Sequence, residues 1–370
     1  MKYLIKLILR FLLHFFWILP VNKEKYFFNS FDGKSQSCNP LYIYKQLKKN
    51  FPNKKYVWVY SNEIPQSKDF VDVKFVKVDS LSYIISQITS KYIIINGGLN
   101  LYIPYRKSQI IINTWHGGGA YKKIDSKKTV ETINAEKYEC KYLTYFISSS
   151  KIFTDVMSQS KTIDKNKFLE IGMPRNDILL NKSDYNYARV KVRNHYKINS
   201  DILIVLYAPT YRGDFKKSYF TENLNPELIK ESIKNRFGKK VYFFFRGHYS
   251  TKSISHNYDI DVSNYPDMQE LLCGIDILIT DYSSSIWDFS FTKKPCFLYC
   301  PDIEQYRLNP GFYTEPEEWG FPIAKNIHEL IVNITKFDEN KYCNDIDENH
   351  KCFISYENGN ASELVCNLIV

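Results

Sequence analysis

The segment Thr114-Trp115-His116-Gly117-Gly118-Gly119 sets a ring base directly before three residues without a Cβ. An imidazole titrates near neutral pH and can take a proton from an attacking hydroxyl. Glycines let a ligand approach the backbone, and their amides can form an anion-binding nest. A glycine-rich turn beside a solvated histidine has the same sequence. A second segment, Thr280-Asp281-Tyr282-Ser283-Ser284-Ser285, runs into the helix-like Ile286-Trp287-Asp288-Phe289. Hydroxyls and amides at a helix start can seat a phosphate, or they simply cap the helix. Ala208-Pro209-Thr210-Tyr211-Arg212 and Arg246-Gly247-His248 each add a cation. Such a cation either clamps phosphate oxygens bidentately or forms a surface ion pair.

These segments share a position. Each follows a short apolar, β-branched or aromatic run: Gln109–Asn113, Ile275–Ile279, Ile202–Tyr207 and Val241–Phe245. Tyr92–Ile95 leads likewise into Asn96-Gly97-Gly98, and Tyr145–Ile147 into Ser148-Ser149-Ser150. Further runs at Tyr56–Tyr60, Val73–Val78, Phe168–Ile171 and Cys296–Tyr299 alternate with longer helical stretches. Continuous apolar strands spaced by helices indicate parallel sheets covered on both faces. The pattern restarts after a polar helical segment at Ser183–Lys197, so the chain is expected to hold two doubly wound α/β domains joined near residue 182. In such sheets ligands bind beyond the carboxyl ends of the strands. Small, basic and hydroxyl residues at those ends in both halves describe a cleft between facing sheets.

With 370 residues, 44% apolar and 24% charged, the chain has room for about two domains and is not disordered, collagenous or a coiled coil. Its charge is uneven. Residues 1–60 hold eleven Lys/Arg against Glu24 and Asp32, which is +9 of the chain's +10. A nucleic-acid binder would interleave its basic groups with aromatics over a face, so no nucleic acid is expected and a membrane surface is the better partner. Eight scattered cysteines without a Cys-x-x-Cys pair point to a reducing cytosol rather than a disulfide scaffold. No His-x-x-x-His pair, GxxxxGK[ST] or GxGxxG occurs, so no metal and no cofactor are expected.

Residues 1–20 read MKYLIKLILRFLLHFFWILP. Arg10 and His14 interrupt any signal-peptide core, and no small-residue cleavage site follows. About 17 residues at ~1.5 Å each fall short of a ~30 Å hydrocarbon core. Lys2, Lys6, Arg10 and His14 recur every four positions and form one stripe on a helix. The expectation is a helix lying in the lipid interface, apolar face in the acyl boundary and basic stripe at anionic headgroups. The alternative is an amphipathic helix docked on the protein core.

Taken together the motifs resemble the CDP-glycerol glycerophosphotransferases that build teichoic acids and related capsule polymers. Trp115-His116-Gly117, Gly172-Met173-Pro174-Arg175-Asn176-Asp177, Ala208-Pro209-Thr210-Tyr211-Arg212, Arg246-Gly247-His248 and Thr280-Asp281-Tyr282-Ser283-Ser284 stand in that family's order. Ser37-Cys38-Asn39-Pro40, Gly311-Phe312-Tyr313 and Asn358-Gly359-Asn360-Ala361-Ser362 flank them as the family's do, and the likeness covers roughly residues 20–370. Gly118-Gly119-Ala120, Pro310 and Gly320-Phe321-Pro322 depart from the family pattern at segments that flank the cleft.

The resemblance implies a GT-B-like fold of two facing domains: an acceptor-side domain over 21–182 and a nucleotide-donor domain over 183–370, whose last helix can pack back on the first. It implies transfer of glycerol phosphate from CDP-glycerol to a hydroxyl of a lipid-linked acceptor, with release of CMP, at the cytoplasmic face of the cell membrane. His116 would be the general base and His248 would contact the donor phosphates. Arg175, Arg212 and Arg246 would bind phosphate charge beside Gly117, Gly118 and Gly119, while Asp281, Ser283 and Ser284 would hold the nucleotide. The same fold could use CDP-ribitol or another nucleotide-activated donor. A silent, membrane-bound nucleotide-binding module is the reading of another class.

Overall fold

Ile, Val, Phe and Tyr runs form strands because β-branched and aromatic side chains fit a pleated surface packed on both sides. The computed structural model describes residues 2–124, 128–210, 224–247 and 258–369. Its first unit comprises Met1–Gly117, Lys127–Asp177 and Tyr356–Val370, and its second Gly118–Ser126 and Ile178–Ser355. The chain therefore first leaves the first unit between Gly117 and Gly118, rejoins it at Lys127, leaves again after Asp177 and returns for its last residues.

In the first unit the described strands are β1 (Asn22–Asn29), β2 (Lys55–Tyr60), β3 (Lys74–Lys77), β4 (Ser90–Ile95), β5 (Ile110–Asn113), β6 (Tyr145–Ser148) and β7 (Phe168–Glu170). They pair in the order β3-β2-β1-β4-β5-β6-β7, all parallel. Phe28 stacks on Trp58 at 5.1 Å within an aromatic core that also takes Tyr44 and Phe70. The C-terminal helix Ala361–Leu368 closes this unit against the helix Cys38–Asn50, where Cys366 Sγ reaches the Ile43 carbonyl. Asp177 caps that last helix by accepting from the Ala361 and Ser362 N–H groups at 3.0 and 2.8 Å.

The second unit carries β8 (Leu203–Tyr207), β9 (Val241–Phe245), β10 (Ile260–Asp261), β11 (Ile277–Thr280), β12 (Cys296–Tyr299) and β13 (Ile323–Ala324). Their order is β10-β9-β8-β11-β12-β13, again all parallel. Each sheet reverses its winding once, between β1 and β4 and between β8 and β11. That reversal opens a crevice at the carboxyl ends of the two strands, the place where doubly wound sheets bind ligands.

The N-terminal helix Lys2–Leu13 and the 3₁₀ turn His14–Ile18 belong to the first unit, with Leu13 buried and Lys6 and Arg10 half-buried. Lys6 pairs with Glu131 at 2.8 Å, and the Arg10 guanidinium lies 4.3 Å from the centre of the Tyr138 ring. His14 Nδ1 donates to the Arg10 carbonyl, and the Trp17 indole N–H to the Pro104 carbonyl, each at 2.8 Å. Leu4, Ile5, Ile8, Phe11, Leu12, Phe15 and Ile18 are left outside, with Phe11 77% and Phe15 75% exposed. The basic stripe expected at headgroups is thus corrected at Lys6 and Arg10: their charges already have partners on the helix Val130–Tyr142. No helix among the described residues is long and apolar enough to cross a membrane.

Candidate active site

In the first unit β4 and β5 end together, Ile95 opposite Asn113. The backbone then turns through Trp115 at φ +52°, a left-handed conformation that costs a bulky L-residue about 1–2 kcal/mol. Hydrogen bonds hold it there. The Trp115 N–H donates to Asn113 Oδ1 at 2.9 Å, and Asn39 Nδ2 donates to the Thr114 and Trp115 carbonyls at 2.9 and 3.2 Å. The turn presents His116 with its ring exposed, stacked on the Trp115 indole at 4.5 Å and met by the Phe31 edge.

His116 Nδ1 lies 2.7 Å from the Asn96 carbonyl oxygen. A carbonyl can only accept, so Nδ1 carries the ring proton and the basic lone pair is on Nε2. Asn96 follows β4, so the histidine sits at the crevice between β1 and β4. Arg175, 4% exposed, donates from Nη1 to the His116 carbonyl at 2.6 Å and lies 3.3 Å from Cys38 Sγ. Its own N–H donates to Asn39 Oδ1 at 3.0 Å. Arg175, to which the family resemblance gives a phosphate-binding role, donates here to the histidine's backbone. The Gly172–Asp177 run is held by Glu357, which accepts from the Met173 N–H at 3.0 Å and from Asn176 Nδ2 at 2.9 Å.

The other two glycines of the triplet belong to the second unit, and packing explains both. A Cβ on Gly118 would stand 2.2 Å from Cδ1 of the buried Trp287 indole. Gly119 has φ +78°, and a Cβ there would meet the Tyr121 ring at 2.4 Å. Gly118→Ala is therefore expected to lower stability by about 1–3 kcal/mol through overpacking, read as a fall in the urea midpoint. An unchanged midpoint would mean that Trp287 moves aside without cost.

In the second unit Asp281 lies at the crevice between β8 and β11. It is buried and accepts from the Thr210 N–H at 3.0 and 3.2 Å and from Thr210 Oγ1 at 2.9 Å. Thr280 Oγ1 donates to the Ala208 carbonyl at 2.6 Å, so the loops after both strands are tied together. Ser283 Oγ accepts from the Ser285 N–H and hydroxyl at 3.2 and 2.9 Å. The Ser283 and Ser284 side chains are half-buried, at the start of the short helix Ser285–Ser290. Arg246 turns along its own sheet: Nη1 donates to the Val262 and Tyr265 carbonyls at 3.1 and 2.9 Å. Burial pushes its guanidinium below the ordinary value, with Asp267 opposing. Arg212 and His248 lie outside the described residues. Among the described residues no group of three His, Cys, Asp or Glu side chains is arranged to hold a metal.

Asn39, Asn96 and Asn113 build this site, yet sequence reasoning gave them no role. The signal was present: each is a small amide at a strand end or helix start, where an apolar residue would otherwise continue the pattern.

Residues 11–370 match the family described as CDP-Glycerol:Poly(glycerophosphate) glycerophosphotransferase. The chain belongs to that family. This glycerophosphotransferase-family chain is 32% identical over 368 residues to the teichoic acid poly(glycerol phosphate) polymerase of Bacillus spizizenii, covering 94% of this chain and 92% of the relative. It is 31% identical over 365 residues to the polymerase of the same name in Staphylococcus epidermidis. That alignment covers 92% of this chain, which spans only 50% of the relative's length. Among solved structures it is similar to the wall teichoic acid polymerase TagF, with a TM-score of 0.81 and 30% identity over 94% of this chain and 89% of that one. A His-to-Asn variant of TagF soaked with CDPG gives a TM-score of 0.80 at 29% identity, with the same coverage. Two parallel-sheet α/β units, which the strand pattern indicated, are the GT-B-like architecture that the family resemblance implied.

Proposed function

We propose that the chain transfers glycerol phosphate from CDP-glycerol to a hydroxyl of a lipid-linked teichoic acid or capsule-type acceptor. The acceptor oxygen attacks the glycerol-bearing phosphorus, the bond from that phosphorus to the CMP oxygen breaks, and the hydroxyl proton passes to His116 Nε2. CMP leaves. Phosphoryl-type transfer needs placement and charge neutralisation more than covalent participation. The observation that carries the reading is the His116 ring, with its proton fixed on Nδ1 by the Asn96 carbonyl and its exposed side at a strand-end crevice.

On the donor side, Asp281 holds the Thr210 loop while the Ser283 and Ser284 hydroxyls meet the nucleotide. His248 and Arg212 contact the diphosphate in this reading, which rests on the family motifs alone. Arg175 and Arg246 act by holding loops, and their charge adds to the local field. CMP release should be measured with CDP-glycerol and with CDP-ribitol on a membrane-linked acceptor. The expectation is at least tenfold higher kcat/KM for CDP-glycerol. Preference for CDP-ribitol would overturn the donor, and binding without release from either would favour the silent module.

The reading includes attachment to the cytoplasmic face of the membrane through the N-terminal helix. Its outer face is apolar, and the charges of Lys6 and Arg10 are engaged by the protein. Insertion should therefore dominate over attraction to anionic headgroups. A buried Phe side chain contributes about 1.5–3 kcal/mol, less when half-inserted. Phe11→Asp with Phe15→Asp is expected to weaken vesicle binding about thirtyfold or more, and Lys6→Gln to change it far less. Flotation with neutral and anionic vesicles checks this, and a dominant Lys6 effect would restore the headgroup picture.

A further inference from the structure

Beneath the Trp115–His116 turn lies a cluster of ionisable groups that the proposed chemistry does not use. Asn113 is fully buried at the end of β5. Its Nδ2 donates to the Gly97 carbonyl and to Glu139 Oε1, while its Oδ1 accepts from the Trp115 N–H. Glu139, 3% exposed on the helix Val130–Tyr142, also accepts from the Leu99 backbone. Its Oε2 lies 3.5 Å from where Gly98 would carry a Cβ. Lys161, 8% exposed, sets Nζ 4.8 Å from the centre of the Trp115 ring and 3.7 Å from Glu136 Oε1. Glu136 is in turn paired with Lys128 at 2.7 Å.

Both supports of the His116 ring trace to this cluster. One is the Asn96 carbonyl, which opens the turn whose next residues, Gly97 to Leu99, rest on Asn113 and Glu139. The other is Trp115, whose left-handed backbone is bonded to Asn113 and whose indole lies against Lys161. The orientation of the Asn113 amide is decisive. Gly97 offers a carbonyl and Glu139 a carboxylate, both acceptors, so Nδ2 must face them. Oδ1 must then face the Trp115 N–H. An apolar residue at 139 would fill the space equally well but would leave an amide proton without an acceptor, and so remove part of what fixes the flip. A carboxylate kept in the interior is costly; burial raises the Glu139 carboxyl above its ordinary value, and the charge of Lys161 offsets only part of that.

We propose that Glu139, acting through Asn113, is a positioning residue that holds His116 in its reactive orientation. The inference rests on His116 being the general base. Two charge-neutral double variants isolate the hydrogen bond: Glu139→Gln with Lys161→Met keeps an acceptor for Asn113, and Glu139→Leu with Lys161→Met does not. The Gln variant is expected to keep kcat for CMP release within about threefold of the parent. The Leu variant should lose about thirtyfold or more, with KM for CDP-glycerol within about twofold. Nitrogen NMR of histidine-labelled protein should show the Nδ1–H tautomer of His116 in the parent and the Gln variant, and mixed tautomers in the Leu variant. Equal kcat and equal tautomer signals in both double variants would overturn the proposal. Should the Leu variant not fold, Asn113→Ser takes its place: the same kcat loss at constant KM is expected, and parent kcat overturns the proposal. Parent kcat in His116→Ala would instead overturn the reading beneath it.

Discussion

His116→Ala should lower kcat for CMP release by about 10²–10⁴, the usual contribution of a general base, while CDP-glycerol binds nearly as in the parent. The separation follows from where the residue stands. His116 belongs to the first unit, and its contacts run to Asn96, Trp115, Phe31 and Arg175 of that unit. The residues assigned to the nucleotide, Asp281, Ser283 and Ser284, are in the second. Removing the imidazole takes away a proton acceptor and leaves the backbone that Arg175 clamps. Calorimetric titration with CDP-glycerol and steady-state CMP release, run on the same preparation, read the two quantities. Turnover equal to the parent would take His116 out of the mechanism; loss of binding in step with turnover would make it a donor ligand.

Much of the scaffold was legible because the strands are buried on both faces. Runs such as Tyr92–Ile95, Ile202–Tyr207 and Cys296–Tyr299 are continuously apolar and lie within or on β4, β8 and β12. β1 carries no such run although it is flanked by β2 and β4. Its first half, Asn22-Lys23-Glu24-Lys25, is exposed or half-exposed, and only Tyr26 to Asn29 are fully buried. Such a segment lacks the continuous apolar run that marks a strand buried on both faces. The two-residue strands β10 and β13 are too short for any periodic signal.

The site was legible in a different sense. Spacing located His116 and Asp281 at strand ends, because residue type and strand boundary were enough. Spacing does not say which way a cation points. Arg175 and Arg246 both follow strands, yet both donate to backbone carbonyls, an outcome decided by tertiary partners. Gly118 and Gly119 show the same limit: a nest for an anion and a gap for Trp287 and Tyr121 call for the same residue. The N-terminal helix had the right period and an exposed apolar face, but the sequence cannot show that Glu131 and Tyr138 meet Lys6 and Arg10.

Asp276→Asn is expected to be the most destabilising single change in the second unit. The carboxylate bonds Arg189 at 2.6 Å and Arg193 at 3.1 Å, stands 3.5 Å from Lys294, and accepts from the Ile204 N–H. Arg189 also reaches the Cys273, Gly274 and Ile275 carbonyls at the end of the helix Met268–Gly274. One anion thus joins the helix Lys182–His195, β8 and the entry to β11. Burial pushes its carboxyl up, but Lys294, Arg189 and the Ile204 N–H outweigh this and hold it below the ordinary value. Its contribution is therefore present above the unfolded carboxylate range and lost as pH falls through the folded value. Asparagine preserves shape but leaves three cations without their charge partner, a loss of about 3–5 kcal/mol. Lys294 provides the contrast. Burial lowers its amine to about 8, with Asp276 opposing. Since its folded value is below the unfolded one, its burial costs stability below about 8, and stability should rise as pH climbs from there toward ~10.4. Lys294→Met keeps the stem and removes the surplus cation, so at pH 7 its urea midpoint should equal or exceed the parent's and the alkaline rise should disappear. If Lys294→Met lowered the midpoint as far as Asp276→Asn does, packing rather than charge balance would govern this junction.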